Sequence, residues 1–134
     1  MAAEAGYVFD CSAVIALMWE EPGADEVRRR MAGAAISSVN LVEAATVLLR
    51  RGSSAVEVQH SLRALPLTVE PWTDDLVWAG LDLSPLAWTA GISLGDRACL
   101  TLARALGRTA LTADTAWLSV AARLQPPVAI ELFR

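Results

Sequence analysis

One short stretch near the start of the chain decides the fold: Gly6-Tyr7-Val8-Phe9-Asp10-Cys11-Ser12-Ala13. Its first four residues have the composition of a short β-strand, and a helical apolar pattern follows from Ser12 to Trp19. Asp10 therefore lies where a predicted strand ends and a helix is about to begin. A strand that leads directly into a helix is the first half of a βαβ unit, which predicts a parallel sheet.

The rest of the chain repeats this alternation of short strands and helices. Right-handed crossovers between parallel strands leave helices on both faces of the sheet, so we expect a small sheet flanked by helices. The patterns predict helices over 22–31, 40–51, 54–65, 73–89, 93–106 and 115–123, strands over 67–69, 109–112 and 128–130, and a brief apolar run over 34–37.

The length and composition indicate one domain over residues 1–134. The 134 residues match the common size of a single domain, ~100–150 residues. With 54% apolar and 19% charged residues, global disorder is excluded. No apolar run approaches the ~20 residues of a membrane helix, and no basic segment precedes an apolar one as in a signal peptide. We therefore expect a cytoplasmic protein without a membrane segment.

The residue counts exclude several chemistries. All 11 residues counted as Lys or Arg are arginines, which excludes a phosphate-binding loop with its lysine and a Schiff-base mechanism. His60 is the single histidine, so a histidine acid cannot work with a histidine base. Cys11 and Cys99 are isolated and predict free thiols. The net charge of −4 counts against nucleic-acid binding, unless a cation or an arginine face offsets it locally.

Four acidic residues differ from the others because apolar or small residues surround them: Asp10, Glu43, Asp96 and Asp114. Asp10 and Asp114 follow predicted strands, so both should lie at the carboxyl edge of a parallel sheet, where ligands bind in α/β folds. Glu43 and Asp96 fall in the first turns of helices predicted to begin near that edge. The sequence thus predicts that four carboxylates meet at one edge.

Each of these acids, taken singly, also has a local interpretation. Asp and Ser favour helix caps, so Asp10 and Asp114 could each cap the helix that follows. Asn40 with Glu43 has the spacing of a capping box, and Ser93 with Asp96 has the same spacing.

Taken together, four converging carboxylates would repel one another strongly. No lysine is present to neutralise them, and Arg97 is the only adjacent base. A divalent cation would relieve the repulsion, and a ligand set made only of oxygens favours Mg²⁺ or Mn²⁺ over zinc. Such a site activates water and stabilises charge on a phosphate. We therefore expect hydrolysis of a phosphodiester, which leaves 5′-phosphate and 3′-hydroxyl ends.

Four motifs, in this order, resemble the VapC-type toxins of the PIN-domain family: Val8-Phe9-Asp10-Cys11-Ser12-Ala13, the helix of Glu43, Ile92-Ser93-Leu94-Gly95-Asp96-Arg97-Ala98, and Leu111-Thr112-Ala113-Asp114. The resemblance runs from about Tyr7 to Arg123. It implies a PIN-like three-layer α/β/α sandwich. It also implies a Mg²⁺- or Mn²⁺-dependent endoribonuclease toxin, whose metal-binding and catalytic residues would be Asp10, Glu43, Asp96 and Asp114.

The resemblance also implies supporting residues and partners. Ser12 and Thr112 match polar positions that often support the site. A cognate antitoxin would hold the toxin inactive, the substrate would be transfer RNA or another structured RNA, and the chain would form a homodimer. Among other residues, Arg97, next to Asp96, could orient a carboxylate or contact RNA. For the five tryptophans, core packing or an oligomer surface is favoured over base stacking, and Trp117, shortly after Asp114, is the best candidate for stacking on a base.

Two other functions stay open at this point. The first is a non-catalytic PIN-like module, in which the acids only cap helices and the surface binds a protein. The second is a small-molecule phosphohydrolase with Asp10 as its nucleophile, which the presence of Ser12 in place of a second aspartate disfavours.

Overall fold

A computed structural model describes residues 6–134 of the chain, and over this range it contains five strands and eight α-helices. The strands are β1 (Tyr7–Phe9), β2 (Ala35–Ser37), β3 (Thr68–Glu70), β4 (Thr109–Thr112) and β5 (Ile130–Leu132). The helices are α1 (Cys11–Trp19), α2 (Ala24–Arg29), α3 (Ser38–Arg50), α4 (Ala55–Arg63), α5 (Asp74–Ala79), α6 (Leu86–Thr89), α7 (Leu94–Leu106) and α8 (Trp117–Ala121). A single 3₁₀ turn over Leu81–Leu83 follows α5.

The five strands form one parallel sheet in the order β3-β2-β1-β4-β5. The first strand is central: Val8 pairs with Ala35 of β2 on one side and with Ala110 of β4 on the other. All strands run the same way, so their carboxyl ends form one edge, as the sequence predicted. The ends of β1 and β4 are neighbours there, which brings Asp10 near Asp114.

Helices cover both faces of the sheet, each over its own apolar core. Val8 and Phe9 are both fully buried, but they point to opposite faces because successive side chains of a strand alternate. Phe9 packs in a core supplied by α1 to α4, and Val8 packs in a second core supplied mainly by α7 and α8. The predicted α/β/α arrangement is confirmed.

Several predicted boundaries shift in the structure. The helix expected from Asn40 begins earlier, at Ser38, because Ser37 is its cap and accepts a hydrogen bond from the backbone N–H of Val39 at 3.1 Å. The segment 73–89 divides into α5, the 3₁₀ turn and α6. The apolar run 34–37 contains a true strand, β2, and the last strand occupies Ile130–Leu132 instead of 128–130. Within residues 6–134, no helix combines the length and apolar character needed to span a membrane.

Candidate functional site

Asp10 is a buried carboxylate at the end of the central strand. Its side chain is only 7% exposed, and its Oδ2 accepts hydrogen bonds from the hydroxyls of Ser12 at 2.8 Å and Thr112 at 2.9 Å. Asp10 precedes α1, yet its side chain makes no capping hydrogen bond. The Asp10 side chain therefore binds residues across the edge of the sheet. It does not act as the helix cap of the local interpretation.

Asp114 follows β4 and is connected to Asp10 through Thr112. The backbone N–H of Asp114 donates to Oγ1 of Thr112 at 3.1 Å, while the same hydroxyl donates to Asp10. On the other side, the backbone N–H of Ala113 donates to Oγ of Ser12 at 3.1 Å. The two hydroxyls thus fix the ends of β1 and β4 against each other. Oδ1 of Asp114 accepts from the N–H of Ala116 at 2.9 Å, ahead of α8.

Asp96 lies in the first turn of α7, where it forms the predicted capping box with Ser93. The N–H of Ser93 donates to Oδ2 of Asp96, and the N–H of Asp96 donates to Oγ of Ser93, both at 3.1 Å. The interpretation of Asp96 as part of a capping box is therefore correct. The capping hydrogen bond engages only Oδ2 of the carboxylate. The other three acids do not share this arrangement.

Glu43 projects from the second turn of α3 towards α7. The side-chain amide of Asn40 donates to Oε1 of Glu43 at 2.9 Å and also to the carbonyl oxygen of Gly95 at 2.9 Å. The capping box predicted for Asn40 and Glu43 is wrong, because Ser37 caps α3 and leaves Asn40 inside the helix. The hydrogen bond from Asn40 to Gly95 brings Glu43 beside the start of α7. Gly95 directly precedes Asp96 in that helix.

The four carboxylates interact electrostatically. Burial raises the pKa of Asp10, and the charge of Asp96 adds to that rise. Burial also raises the pKa of Glu43, to which the charges of Asp10 and Asp96 contribute. The pKa of Asp96 is raised by burial and by the charge of Asp114. Across residues 6–134, no arginine forms a salt bridge with any of the four. The edge is thus a concentration of negative charge without a basic partner.

The two cysteines are free thiols, as predicted. Both are influenced by the negative charges of the acidic edge. Burial, reinforced by the charges of Asp10 and Glu43, raises the pKa of Cys11 to about 12. Cys99 is fully buried, and its pKa is also raised well above the usual value. Without a metal, both thiols therefore stay protonated at neutral pH and are poor nucleophiles.

The donor chemistry fits a hard divalent cation, but the side chains do not surround one position. In the described part of the chain, no group of three or more His, Cys, Asp or Glu side chains is arranged to hold a metal ion. Each of three acids instead turns one oxygen to a nearby donor: Glu43 to Asn40, Asp96 to Ser93, and Asp114 to Ala116. The oxygen-only set, its mutual repulsion and the lack of basic partners among the described residues agree with the chemistry of a hard divalent cation.

The two candidates for RNA contact behave differently. Arg97 is partly exposed on α7, and its Nε donates to the carbonyl oxygen of Ser93 at 3.2 Å. Trp117 is fully buried in the core beneath α7 and α8. Its indole N–H forms no hydrogen bond of normal geometry in the described part of the chain. The same N–H lowers the pKa of Asp96, an effect that is smaller than the rise caused by burial. Trp117 is therefore a core residue, the interpretation that the sequence favours for the tryptophans, and the alternative of base stacking by this ring does not hold.

A separate apolar groove runs between α3 and α4. It has a volume of about 430 Å³, and its lining is almost entirely apolar. Val42 and Leu49 are 65% and 46% exposed along its α3 side, and Arg63 lies on the α4 side. The side chains of Leu41, Val42, Ala45 and Leu49 line the groove on α3, whereas Glu43 lies on another face of that helix, towards α7.

Sequence reasoning missed two residues of the site, Asn40 and Gly95. Asn40 was assigned only to a helix cap, and Gly95 was given no role. The spacing of Asn40 and Glu43, three residues apart on one helix, is also the spacing of side-chain neighbours, and this signal could have found the first contact. The contact to Gly95 joins residues 55 positions apart, and no local pattern contains it.

Comparisons with known proteins give a family and several related folds. A sequence model of the PIN domain matches residues 7–123. Solved structures with a similar fold include VapBC2 from Rickettsia felis bound to a DNA fragment from its promoter (TM-score 0.73, 16% identity, 94% of this chain and 97% of that chain).

Two further structures agree with this fold. DNA-bound VapBC from Salmonella typhimurium aligns with a TM-score of 0.71 and 14% identity over 97% of this chain and 99% of that chain. A toxin–antitoxin complex from Klebsiella pneumoniae aligns with a TM-score of 0.65 and 18% identity over 82% and 88%. No curated protein matches the chain in sequence.

Proposed function

The chain belongs to the PIN domain family, and from this premise we propose that it is a metal-dependent endoribonuclease that acts as the toxin of a toxin–antitoxin pair. One observation carries the proposal. Asp10, Glu43, Asp96 and Asp114 interact at one edge of a parallel sheet, and in the described part of the chain none of them forms a salt bridge with an arginine. Acids that served only as helix caps would have no reason to gather there at the cost of mutual repulsion.

In this proposal the four carboxylates hold Mg²⁺ or Mn²⁺. When bound, such an ion lowers the pKa of water and stabilises charge that develops on a phosphodiester. The chain's own residues orient the ligands. The hydroxyls of Ser12 and Thr112 hold Oδ2 of Asp10, and Asn40 holds Oε1 of Glu43. Each of these hydrogen bonds engages one oxygen of a carboxylate and orients the other for an ion.

Arg97 supplies positive charge near the acidic edge in this proposal. Its Nε is bonded to its own helix, and its guanidinium forms no ion pair within residues 6–134. A free guanidinium can contact phosphate through two parallel hydrogen bonds. We expect Arg97 to bind the RNA backbone, with transfer RNA or another structured RNA as the substrate and with 5′-phosphate and 3′-hydroxyl product ends.

The apolar groove between α3 and α4 supports an antitoxin as a partner. A groove with exposed Val42 and Leu49 is suited to the apolar face of an antitoxin helix. We expect the antitoxin also to block the site by placing an Arg or Lys side chain among the carboxylates. Val42→Asp should prevent co-purification with the co-expressed antitoxin, and its retention would contradict this part of the proposal.

A homodimer completes the proposed assembly. Several large apolar side chains over α5 to α7 face solvent, among them Trp78 (65% exposed), Leu81 (53%), Trp88 (75%) and Leu94 (60%). Burial of such side chains against a second copy would remove apolar surface from water. Light scattering of the antitoxin-free chain should give twice the monomer mass, and a monomer at micromolar concentration would contradict the dimer.

A cleavage assay tests the activity. Antitoxin-free protein is incubated with total transfer and ribosomal RNA in Mg²⁺, Mn²⁺ or EDTA, beside Asp10→Asn and the control Asp75→Asn. Asp75 is an exposed acid at the start of α5, and it is not among the charges that raise the pKa of Asp10, Glu43 or Asp96. We expect cuts that need the metal, disappear in Asp10→Asn and persist in Asp75→Asn. Equal cleavage by wild type and Asp10→Asn would reject the assignment. No cleavage under any metal would favour a non-catalytic binding module.

A further inference from the structure

Asn40 joins Glu43 to the helix that carries Asp96. The side chain of Asn40 is fully buried. Its Nδ2 donates one hydrogen to Oε1 of Glu43 and the other to the carbonyl oxygen of Gly95, each at 2.9 Å. Gly95 directly precedes Asp96 in α7. One amide group therefore fixes the carboxylate of α3 relative to the backbone of α7.

The direction of the Asn40 amide follows from its neighbours. The carbonyl oxygen of Gly95 can only accept, so the NH₂ group and not the oxygen must face it. The Oδ1 of Asn40 is then left buried without a hydrogen-bond partner in the described part of the chain. A buried oxygen without a hydrogen bond destabilises the fold, and an apolar side chain of similar size would avoid this cost. Packing alone therefore does not explain an asparagine at this position.

Gly95 provides the space into which the Glu43 carboxylate fits. A Cβ atom at residue 95 would lie 2.2 Å from both Oε1 and Oε2 of Glu43, far inside van der Waals contact. The three nearest atoms to such a Cβ all belong to Glu43, and Gly95 has an ordinary helical backbone. Alanine would therefore fit the helix but would displace the carboxylate.

We propose that Asn40 and Gly95 are positioning residues for Glu43, one holding its carboxylate by a hydrogen bond and the other leaving room for it against α7. The assignment rests on the proposed function, in which Glu43 is a metal-binding residue. It predicts that both residues act on the site only through Glu43. Neither residue contacts the metal or the RNA in this scheme.

The first test separates positioning from folding by means of Gly95→Ala. Alanine favours a helix more than glycine does, so the urea midpoint of unfolding should stay equal or rise. The affinity for Mn²⁺, titrated alone into the full chain by calorimetry, should fall about tenfold or more, as for other residues that orient ligands. Wild-type Mn²⁺ affinity in Gly95→Ala would overturn the proposal.

The second test uses Asn40→Val with a matched control on the same helix. Thr46 donates only to the carbonyl oxygen of Val42, so Thr46→Val removes a hydrogen bond from α3 without touching Glu43. We expect Asn40→Val to weaken Mn²⁺ binding about tenfold and Thr46→Val to leave it within about twofold. On a Glu43→Gln background, Asn40→Val should weaken it no further. A full effect on that background would overturn the proposal.

Failure of this inference can be told apart from failure of the proposed function. If wild type binds Mn²⁺ and both variants bind it equally well, only the positioning role is rejected. If wild type binds no Mn²⁺, the proposed function fails, and the inference is judged on unfolding alone. Asn40→Val and Glu43→Gln must then shift the urea midpoint non-additively. Additive shifts would reject the coupling between the two residues.

Discussion

The hydroxyl of Thr112 donates a hydrogen bond to Oδ2 of Asp10 at 2.9 Å, across the junction of β1 and β4. Both residues are buried, and the same hydroxyl accepts the N–H of Asp114 at 3.1 Å. A single side chain thus links the two acids that follow neighbouring strands. The rigidity of this link makes the acidic edge a defined site.

Removal of that hydroxyl should destabilise the fold. In Thr112→Val the buried Asp10 carboxylate loses a donor, and a hydrogen bond to a charged buried group contributes roughly 1.5–3 kcal/mol. The free energy of unfolding in urea should fall by about that amount. Thr46→Val, which removes an exposed hydroxyl, should change it by less than about 0.5 kcal/mol. Equal effects from the two substitutions would contradict the role of Thr112.

The raised pKa values of Asp10, Glu43 and Asp96 predict how stability varies with pH without metal. An acid whose folded-state pKa lies above its unfolded value stabilises the protein below the unfolded pKa, and this contribution is lost as pH rises through the folded pKa. The melting temperature should therefore rise as pH falls through the raised pKa values of these three acids. Asp10→Asn should melt higher than wild type at pH 7 and show a smaller rise. A wild-type melting temperature that falls over this range would contradict the account.

A bound cation should offset the repulsion among the carboxylates of the acidic edge and so stabilise the folded protein. Mn²⁺ at about 100 times its Kd should raise the free energy of unfolding by about 2.7 kcal/mol, because it binds only the folded state. EDTA should abolish the gain, and Asp10→Asn should show little of it. Thermal melts with and without Mn²⁺ measure this directly. Equal gains in wild type and Asp10→Asn would place the metal elsewhere.

Trp117 should matter for stability and not for RNA contact. Its ring is fully buried, so Trp117→Ala should cost roughly 3–5 kcal/mol of unfolding free energy. Val56 is 78% exposed on α4, and Val56→Ala should change stability by less than about 0.5 kcal/mol. The comparison of the two truncations in urea unfolding checks the inward direction of the Trp117 ring. A small cost for Trp117→Ala would restore it as a candidate for base stacking.

The sequence was sufficient for the parallel sheet because strand and helix patterns alternate with clear boundaries. Val8 and Phe9 predict a buried strand, and Asp10 necessarily follows its end. The parallel sheet also places Asp10 and Asp114 at one edge, whereas the pairing of β1 with β4 that makes them neighbours is seen only in the structure. These features depend on local pattern and general topology, both of which a sequence carries.

Other features could not be predicted, because the local sequence allows several arrangements and only tertiary packing selects one of them. Ser37 and Asn40 are both good cap residues three positions apart, and the structure uses Ser37. Asn40 is instead bound to Gly95, a contact between distant segments. Trp117 follows the acidic edge closely in sequence, but the packing of α8 on the sheet turns it inwards. Such outcomes are set by how helices pack, and a periodic pattern does not specify that.

The chemical identity of the RNA ends tests the central claim most directly. Wild-type protein with Mn²⁺ is allowed to cleave structured RNA, and the new termini are identified by ligation and phosphatase sensitivity. The account predicts 5′-phosphate and 3′-hydroxyl ends that form only with a divalent metal, because carboxylates and a cation direct water to the phosphodiester. Cyclic phosphate ends, or cuts that persist in EDTA, would contradict it.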